Sequence, residues 1–163
     1  PHDVGVLHHH LPPQQLVRSI VSLCRTVELT VLLAGSAPQR NALAALRTDL
    51  EREGIKDVRI TPPMGIVEYV ERVAAARAVL SMDSATAHIA AACNKPMVAI
   101  LGGGHYGHFA PWRRSSRQVW LTHKVDCFEC DWQCIHPYPH CVADIDPEDI
   151  RRTMTRLLDD REE

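Results

Sequence analysis

The sequence predicts an α/β domain in which a parallel sheet is covered by helices on both faces, a doubly wound arrangement. Short runs that are apolar throughout, such as Met97-Val98-Ala99-Ile100-Leu101, read as strands buried on both faces. These runs alternate with stretches whose apolar residues recur at helical spacing, and a helix is the usual connection between parallel strands. At 163 residues the chain has the length for one domain with one ordinary core, so residues 1–163 are read as a single unit.

The elements follow in order. Residues 4–7 form a short β-prone run, and after His8-His9-His10 and Pro12-Pro13 a helix carries Leu16, Ile20, Leu23 and Val27 on one face. The three histidines continue the strand and read as native sequence rather than the remnant of a tag. Neighbours in a strand point to opposite faces, so they make a poor metal site. Residues 29–33 are a second strand, ended by Gly35-Ser36-Ala37-Pro38, and a helix with Leu43, Leu46 and Leu50 on one face closes at Gly54. Residues 58–60 are a third strand broken by Pro62-Pro63, followed by a helix lined by Val67, Val70, Val73 and Ala74. A fourth strand, 78–82, runs directly into Asp83-Ser84-Ala85-Thr86 and a small-residue helix from His88 to Cys93. Lys95-Pro96 punctuates, residues 97–101 are the fifth strand, and 119–121 are the sixth. The chain closes with a helix capped by Asp146, with Pro147 at its first position and Ile150, Met154 and Leu157 inward.

Composition excludes several classes. A net charge of −2 gives no electrostatic reason for a nucleic-acid partner, and 45% hydrophobic with 23% charged residues is ordinary for a globular chain. No apolar run approaches the roughly 20 residues that cross a bilayer, and the start lacks a signal-peptide layout. The default expectation is a cytoplasmic location. A start without Met, leading almost at once into an apolar run, suggests a piece of a longer polypeptide.

In an open parallel sheet, ligands bind beyond the carboxyl ends of the strands. That rule nominates the loops at 8–13, 35–41, 62–66, 83–88 and 102–108. The sharpest is Asp83-Ser84-Ala85-Thr86-Ala87-His88, where free first-turn amides and the helix dipole suit an anion such as a diphosphate. The small side chains let a phosphate approach the backbone, and Ser84 and Thr86 add hydroxyls. The same residues also suit a plain helix cap, with Asp83 or Ser84 capping. His88 by itself reads as readily as a satisfied, partly buried histidine. Gly102-Gly103-Gly104 is not the G-x-G-x-x-G that opens a dinucleotide-binding helix, and there is no Walker A pattern, so no organic cofactor is expected.

Cys24 and Cys93 fall in helical segments and read as small core hydrophobes. Cys127, Cys130, Cys134 and Cys141, spaced C-x2-C-x3-C-x6-C, need a chemical explanation. Four thiolates suit structural Zn²⁺, and iron takes the same cage. Disulfides and reactive thiols are the alternatives, with His136 and His140 as substitute ligands. Binding all four thiolates leaves no open coordination position, so a metal there pins a finger at about 123–143 rather than doing chemistry.

The run Val79-Leu80-Ser81-Met82-Asp83-Ser84-Ala85-Thr86-Ala87-His88-Ile89-Ala90-Ala91-Ala92, followed by Lys95-Pro96-Met97-Val98-Ala99-Ile100-Leu101-Gly102, resembles the C-terminal signature of glycosyltransferase family 9, which includes the lipopolysaccharide heptosyltransferases. Asp83, Ser84, His88, Pro96 and Gly102 match the family pattern, while Ala85 stands where a glycine is usual. The likeness runs from about residue 4 to the last helix. It implies one Rossmann-like half of a GT-B fold, the half that binds a nucleotide-sugar donor such as ADP-heptose, in an inverting transferase. By position, the amides of Ser84, Ala85 and Thr86 hold the diphosphate and Asp83 contacts the sugar, with His88 alongside. Met64, Gly65 and Ile66 border the base, the loop from Ser36 approaches the ribose, and Gly103, Gly104 and His105 lie near the transferred sugar. The Lys that the family carries after the first strand is absent between His10 and Pro13. The resemblance assigns the acceptor glycan or protein, and the carboxylate base, to an N-terminal half. It admits a homo-oligomer and a place at the inner membrane's cytoplasmic face in lipopolysaccharide biosynthesis. Four-cysteine fingers, structural and iron-bearing, occur in some relatives. The alternatives are a non-catalytic interaction or oligomerisation module built on a metal-stabilised finger, and an epimerase of the same architecture, which lacks a base beyond His88 or His105.

Overall fold

In the computed structural model the described residues are 11–111 and 115–159. The expected first strand at 4–7 and the triple histidine lie outside them. Helix α1 (Pro13–Thr26) leads to β1 (Val31–Leu33), and a 3₁₀ turn (Ala37–Gln39) opens α2 (Arg40–Arg52). Then come β2 (Val58–Ile60), α3 (Ile66–Ala75), β3 (Val79–Met82), α4 (Ala85–Ala92), β4 (Met97–Ile100), β5 (Gln118–Leu121), α5 (His140–Ala143) and α6 (Pro147–Asp159). All strand pairs are parallel. β1 pairs with β2, and β3, β4 and β5 form a three-stranded ladder in that order.

Strand β4 shows why the apolar runs read as they do. Val98 and Ile100 face a cluster with Leu23, Ile150, Met154 and Leu157, which α1 and α6 supply. Met97 and Ala99 face the other way, into Val73 of α3 and Ala87, Ala90 and Ala91 of α4. The alternation of a pleated strand therefore feeds two cores at once, and no residue of β4 is more than 1% exposed. The alanines of α4 carry no bulk, which brings that helix close over the sheet. A third cluster joins Ile20 and Val21 of α1 to Leu33, Leu50 and Val58 around β1 and β2.

The punctuation residues act by identifiable chemistry. Gly54 adopts φ +88°, and the amide of Ile55 returns to the carbonyl of Leu50, the left-handed stop expected after α2. Asn94, at φ +52°, does the same after α4, with Lys95 N–H donating to the Ala90 carbonyl. Asp146 Oδ1 accepts the amide of Glu148 at 2.9 Å, the cap expected for α6. Three expectations need correction. Of the stripe expected on α3, Val67 and Ala74 are exposed and only Val73 is buried. Strand β1 begins at Val31, and Leu32 is 45% exposed, so the second apolar run is only partly a strand and is not buried throughout. Helix α4 starts at Ala85, three residues before His88, which brings the whole Ala85-Thr86-Ala87 segment into its first turn. The helix α5 within the cysteine segment was not legible in the sequence.

Candidate functional site

Each ladder is parallel, so the loops after β1 and β2 leave the carboxyl end of the first, and those after β3 and β4 leave the carboxyl end of the second. At the end of β3, Asp83 is half-buried while Ser84 and Ala85 are exposed, and Ser84 occupies the N-cap position of α4. Ser84 makes no side-chain capping bond. Its hydroxyl meets Ser81 Oγ at 3.1 Å, and Ser81 Oγ in turn donates to the Met82 carbonyl at 2.9 Å. The first amides of α4 are thus left uncapped by side chains among the described residues, as an anion site requires. Asp83 Oδ1 lies 3.9 Å from His88 Nε2, one turn into the helix, and the His88 ring tilts against Trp120 of β5 with centroids 6.2 Å apart. Thr86 is tied to α3 through a 2.6 Å hydrogen bond with the Tyr69 hydroxyl.

On the neighbouring loops, Gly65 caps α3 with Met64 half-buried before it, and Ile66 and Val67 are strongly exposed. Ser36 opens the 3₁₀ turn in a capping box, its amide donating to Gln39 Oε1 at 2.9 Å. Arg40, the first residue of α2, donates from Nη1 to the carbonyl of Thr61 at 2.6 Å, which stitches the β1 loop to the end of β2. Neither Tyr69 nor Arg40 stood out in the sequence. Tyr69 sits on the apolar stripe of α3, where its hydroxyl is the one sign of a polar partner, and Arg40 looks like any surface arginine.

The glycine run after β4 has a role that periodicity could not reveal. Gly102, Gly103 and Gly104 are buried, and a β-carbon at each would fall 2.2, 2.5 and 2.3 Å from the rings of Trp132, Phe128 and Trp132 respectively. The segment that carries the first two of the four clustered cysteines lies directly on this backbone. Glu129 N–H donates to the Gly103 carbonyl at 2.8 Å and Asp131 N–H to that of Gly104 at 3.1 Å, with Glu129, Asp131 and Trp132 at positive φ to make the turn. Next to the run, His105 Nε2 stands 3.6 Å from Asp131 and its ring meets Trp132 edge-on. Gly103, Gly104 and His105 are therefore held by the segment from Phe128 to Trp132.

All six cysteines are free thiols, so no disulfide staples the finger. Cys24 is half-buried in α1 against the third cluster, as expected, and Cys93 caps α4. Burial pushes the Cys141 thiol up, a backbone hydrogen bond from Gly103 pulls it down, and Cys130, Cys127 and Cys134 push it up again. Among the described residues, however, no three His, Cys, Asp or Glu gather closely enough to hold a metal ion as they stand. The donor chemistry suits a soft or borderline metal, and a closed cage requires the thiols to draw in. His136 and His140 meet edge-on at 4.9 Å, and His140 Nδ1 pairs with Asp144 at 2.7 Å. No helix among the described residues is long and apolar enough to cross a membrane.

Fold and strand-end turn together define a Rossmann-like α/β domain of the kind that makes up half of a GT-B structure. The family described as "Glycosyltransferase family 9 (heptosyltransferase)" matches residues 18–136, and the chain belongs to that family. E. coli ADP-heptose lps heptosyltransferase II is similar with a TM-score of 0.75 at 23% identity, over 97% of this chain and 44% of that one. The E. coli heptosyltransferase WaaC, in complex with ADP-2-deoxy-2-fluoro heptose, is similar with a TM-score of 0.60 at 14% identity, over 91% of this chain and 39% of that one. This chain thus spans less than half the length of either structure. No match was found among curated proteins.

Proposed function

We propose that the chain is the donor-binding half of an inverting glycosyltransferase that uses ADP-heptose or a similar nucleotide sugar. One observation carries the reading: in a family 9 chain, the Asp83-Ser84-Ala85-Thr86 turn follows a parallel strand and opens α4 without a side-chain cap. The diphosphate rests on the amides of Ser84, Ala85 and Thr86, where the helix dipole favours negative charge. That charge grows as the nucleoside diphosphate leaves, so the same amides stabilise departure without a divalent ion. Asp83 contacts the sugar beside His88, Met64, Gly65 and Ile66 border the base, and Ser36 approaches the ribose. His105, with the Gly103 and Gly104 backbone, borders the transferred sugar. The acceptor hydroxyl attacks the anomeric carbon, the bond to the diphosphate oxygen breaks, and the acceptor proton passes to a carboxylate of an N-terminal half. The acceptor is a glycan or a protein, and the likeness to an E. coli lps heptosyltransferase favours a place in lipopolysaccharide biosynthesis.

Cys127, Cys130, Cys134 and Cys141 form the ligand set for a structural zinc or iron ion, which tightens the finger and takes no part in transfer. Support comes from their spacing and from their standing outside any disulfide. Titration calorimetry with ADP, UDP and GDP tests the donor reading. Heat with ADP is expected, as is an affinity for ADP-sugar about tenfold weaker in Asp83→Ala. Silence with all three nucleotides, or an Asp83→Ala variant that binds ADP-sugar as the parent does, would overturn it.

A further inference from the structure

The two hydroxyls of the α4 turn are not equivalent, because each has one proton and the surroundings decide where it points. Ser81 spends its proton on the Met82 carbonyl, so the 3.1 Å contact between Ser81 and Ser84 draws on the proton of Ser84. Ser84 is left as an inward donor. Thr86 differs, since its partner is the Tyr69 hydroxyl at 2.6 Å and either oxygen can donate. Tyr69 has a fixed position, with its ring packed against the cluster under α3 and α4.

We propose that Tyr69 is a positioning residue that donates to Thr86 and so turns the Thr86 proton outward, making Thr86 the hydroxyl that binds the diphosphate. The proposal rests on the donor reading above. An anion in the first turn of α4 accepts protons and offers none, which selects one direction of the chain, from Tyr69 to Thr86 to phosphate oxygen. Donation into Thr86 Oγ1 also polarises its O–H and strengthens the outer bond. The site then recognises the diphosphate group itself, separately from any contact to base or ribose. The short hydrogen bond fixes the Thr86 rotamer before the ligand arrives, so little side-chain freedom is lost on binding.

Calorimetry on the intact protein tests this with the nucleoside diphosphate that the parent binds among ADP, UDP and GDP, and with the matching nucleoside. Tyr69→Phe keeps the ring and removes the donor. It is expected to weaken diphosphate binding about 3- to 10-fold while nucleoside affinity and the unliganded melting temperature hold. Thr86→Val is expected to cost at least as much, and the double variant no more than Thr86→Val alone, because the pair acts as one unit. Tyr69→Phe with unchanged diphosphate affinity refutes the relay and leaves the donor reading standing. Equal losses for nucleoside and diphosphate refute it in favour of plain packing. A parent that binds no nucleoside diphosphate removes the donor reading and the relay with it.

Discussion

Replacing Gly104 by alanine tests whether the finger truly lies on the strand end. A β-carbon there would sit 2.3 Å from Trp132 Cδ2, 2.6 Å from Cε2 and 2.7 Å from Cγ. Those atoms are at the root of the ring, so a change of rotamer at its tip gives no relief. Ordinary carbon contact begins at about 3.5 Å, which asks the indole to retreat by about 1.2 Å. The backbone on either side is held, with Asp131 N–H on the Gly104 carbonyl at 3.1 Å and Glu129 N–H on that of Gly103 at 2.8 Å. Overpacking of this kind costs about 1–3 kcal/mol, and a domain of this size loses about 2–4 °C of melting temperature per kcal/mol. Thermal unfolding followed by circular dichroism reads that shift if the finger melts with the domain. If the finger lifts off first, the loss appears as faster reaction of Cys127, Cys130, Cys134 and Cys141 with a thiol reagent. A Gly104→Ala protein with both the parental melting temperature and parental thiol rates would refute the docked finger.

Other outcomes follow from the same structure. Leu50 is fully buried between α2 and the β1–β2 pair, so Leu50→Ala is expected to lower stability by about 2–5 kcal/mol in denaturant unfolding, and a loss under about 1 kcal/mol contradicts the third core. Burial pushes the Cys24 thiol above its ordinary value of 9.0. A raised value favours the protonated form in the folded state, so this contribution is present below pH 9.0 and is lost as the pH rises beyond it. Cys24→Ala should therefore flatten the alkaline fall in stability, and parallel alkaline limbs for parent and variant count against it. Protein purified without added metal is expected to carry zinc or iron by elemental analysis, reduced in Cys141→Ser. Metal-free protein with four freely titrating finger thiols removes the metal from the account.

Much of the architecture is local chemistry and could be read from residue order alone. The apolar run Met97-Val98-Ala99-Ile100 needs cover on both faces wherever it lies, and it receives it from α6 on one side and α4 on the other. Gly54 and Asp146 stop and start helices through bonds to neighbours within five residues, so sequence spacing is sufficient to find them. The turn from β3 into α4 is legible for the same reason. Leu29-Thr30 misled because an apolar run announces burial without saying where pairing begins, and β1 starts only at Val31, where its ladder with β2 begins.

Sequence by itself therefore determined the alternation of strands and helices, the direct passage from strand to helix at Asp83 to Thr86, and the four-cysteine spacing. Tertiary structure alone decided that Ser84 leaves α4 uncapped, that Tyr69 reaches Thr86 across two helices, that Arg40 reaches Thr61, and that the glycines after β4 are the bed of the cysteine finger. The physical reason is range. Caps, turns and helical stripes are set by residues a few positions apart, whereas Trp132 and Gly104 are brought together only when the finger folds back over the end of the sheet. Such a contact leaves no periodicity in the chain, and an uninterrupted Gly-Gly-Gly is its single trace.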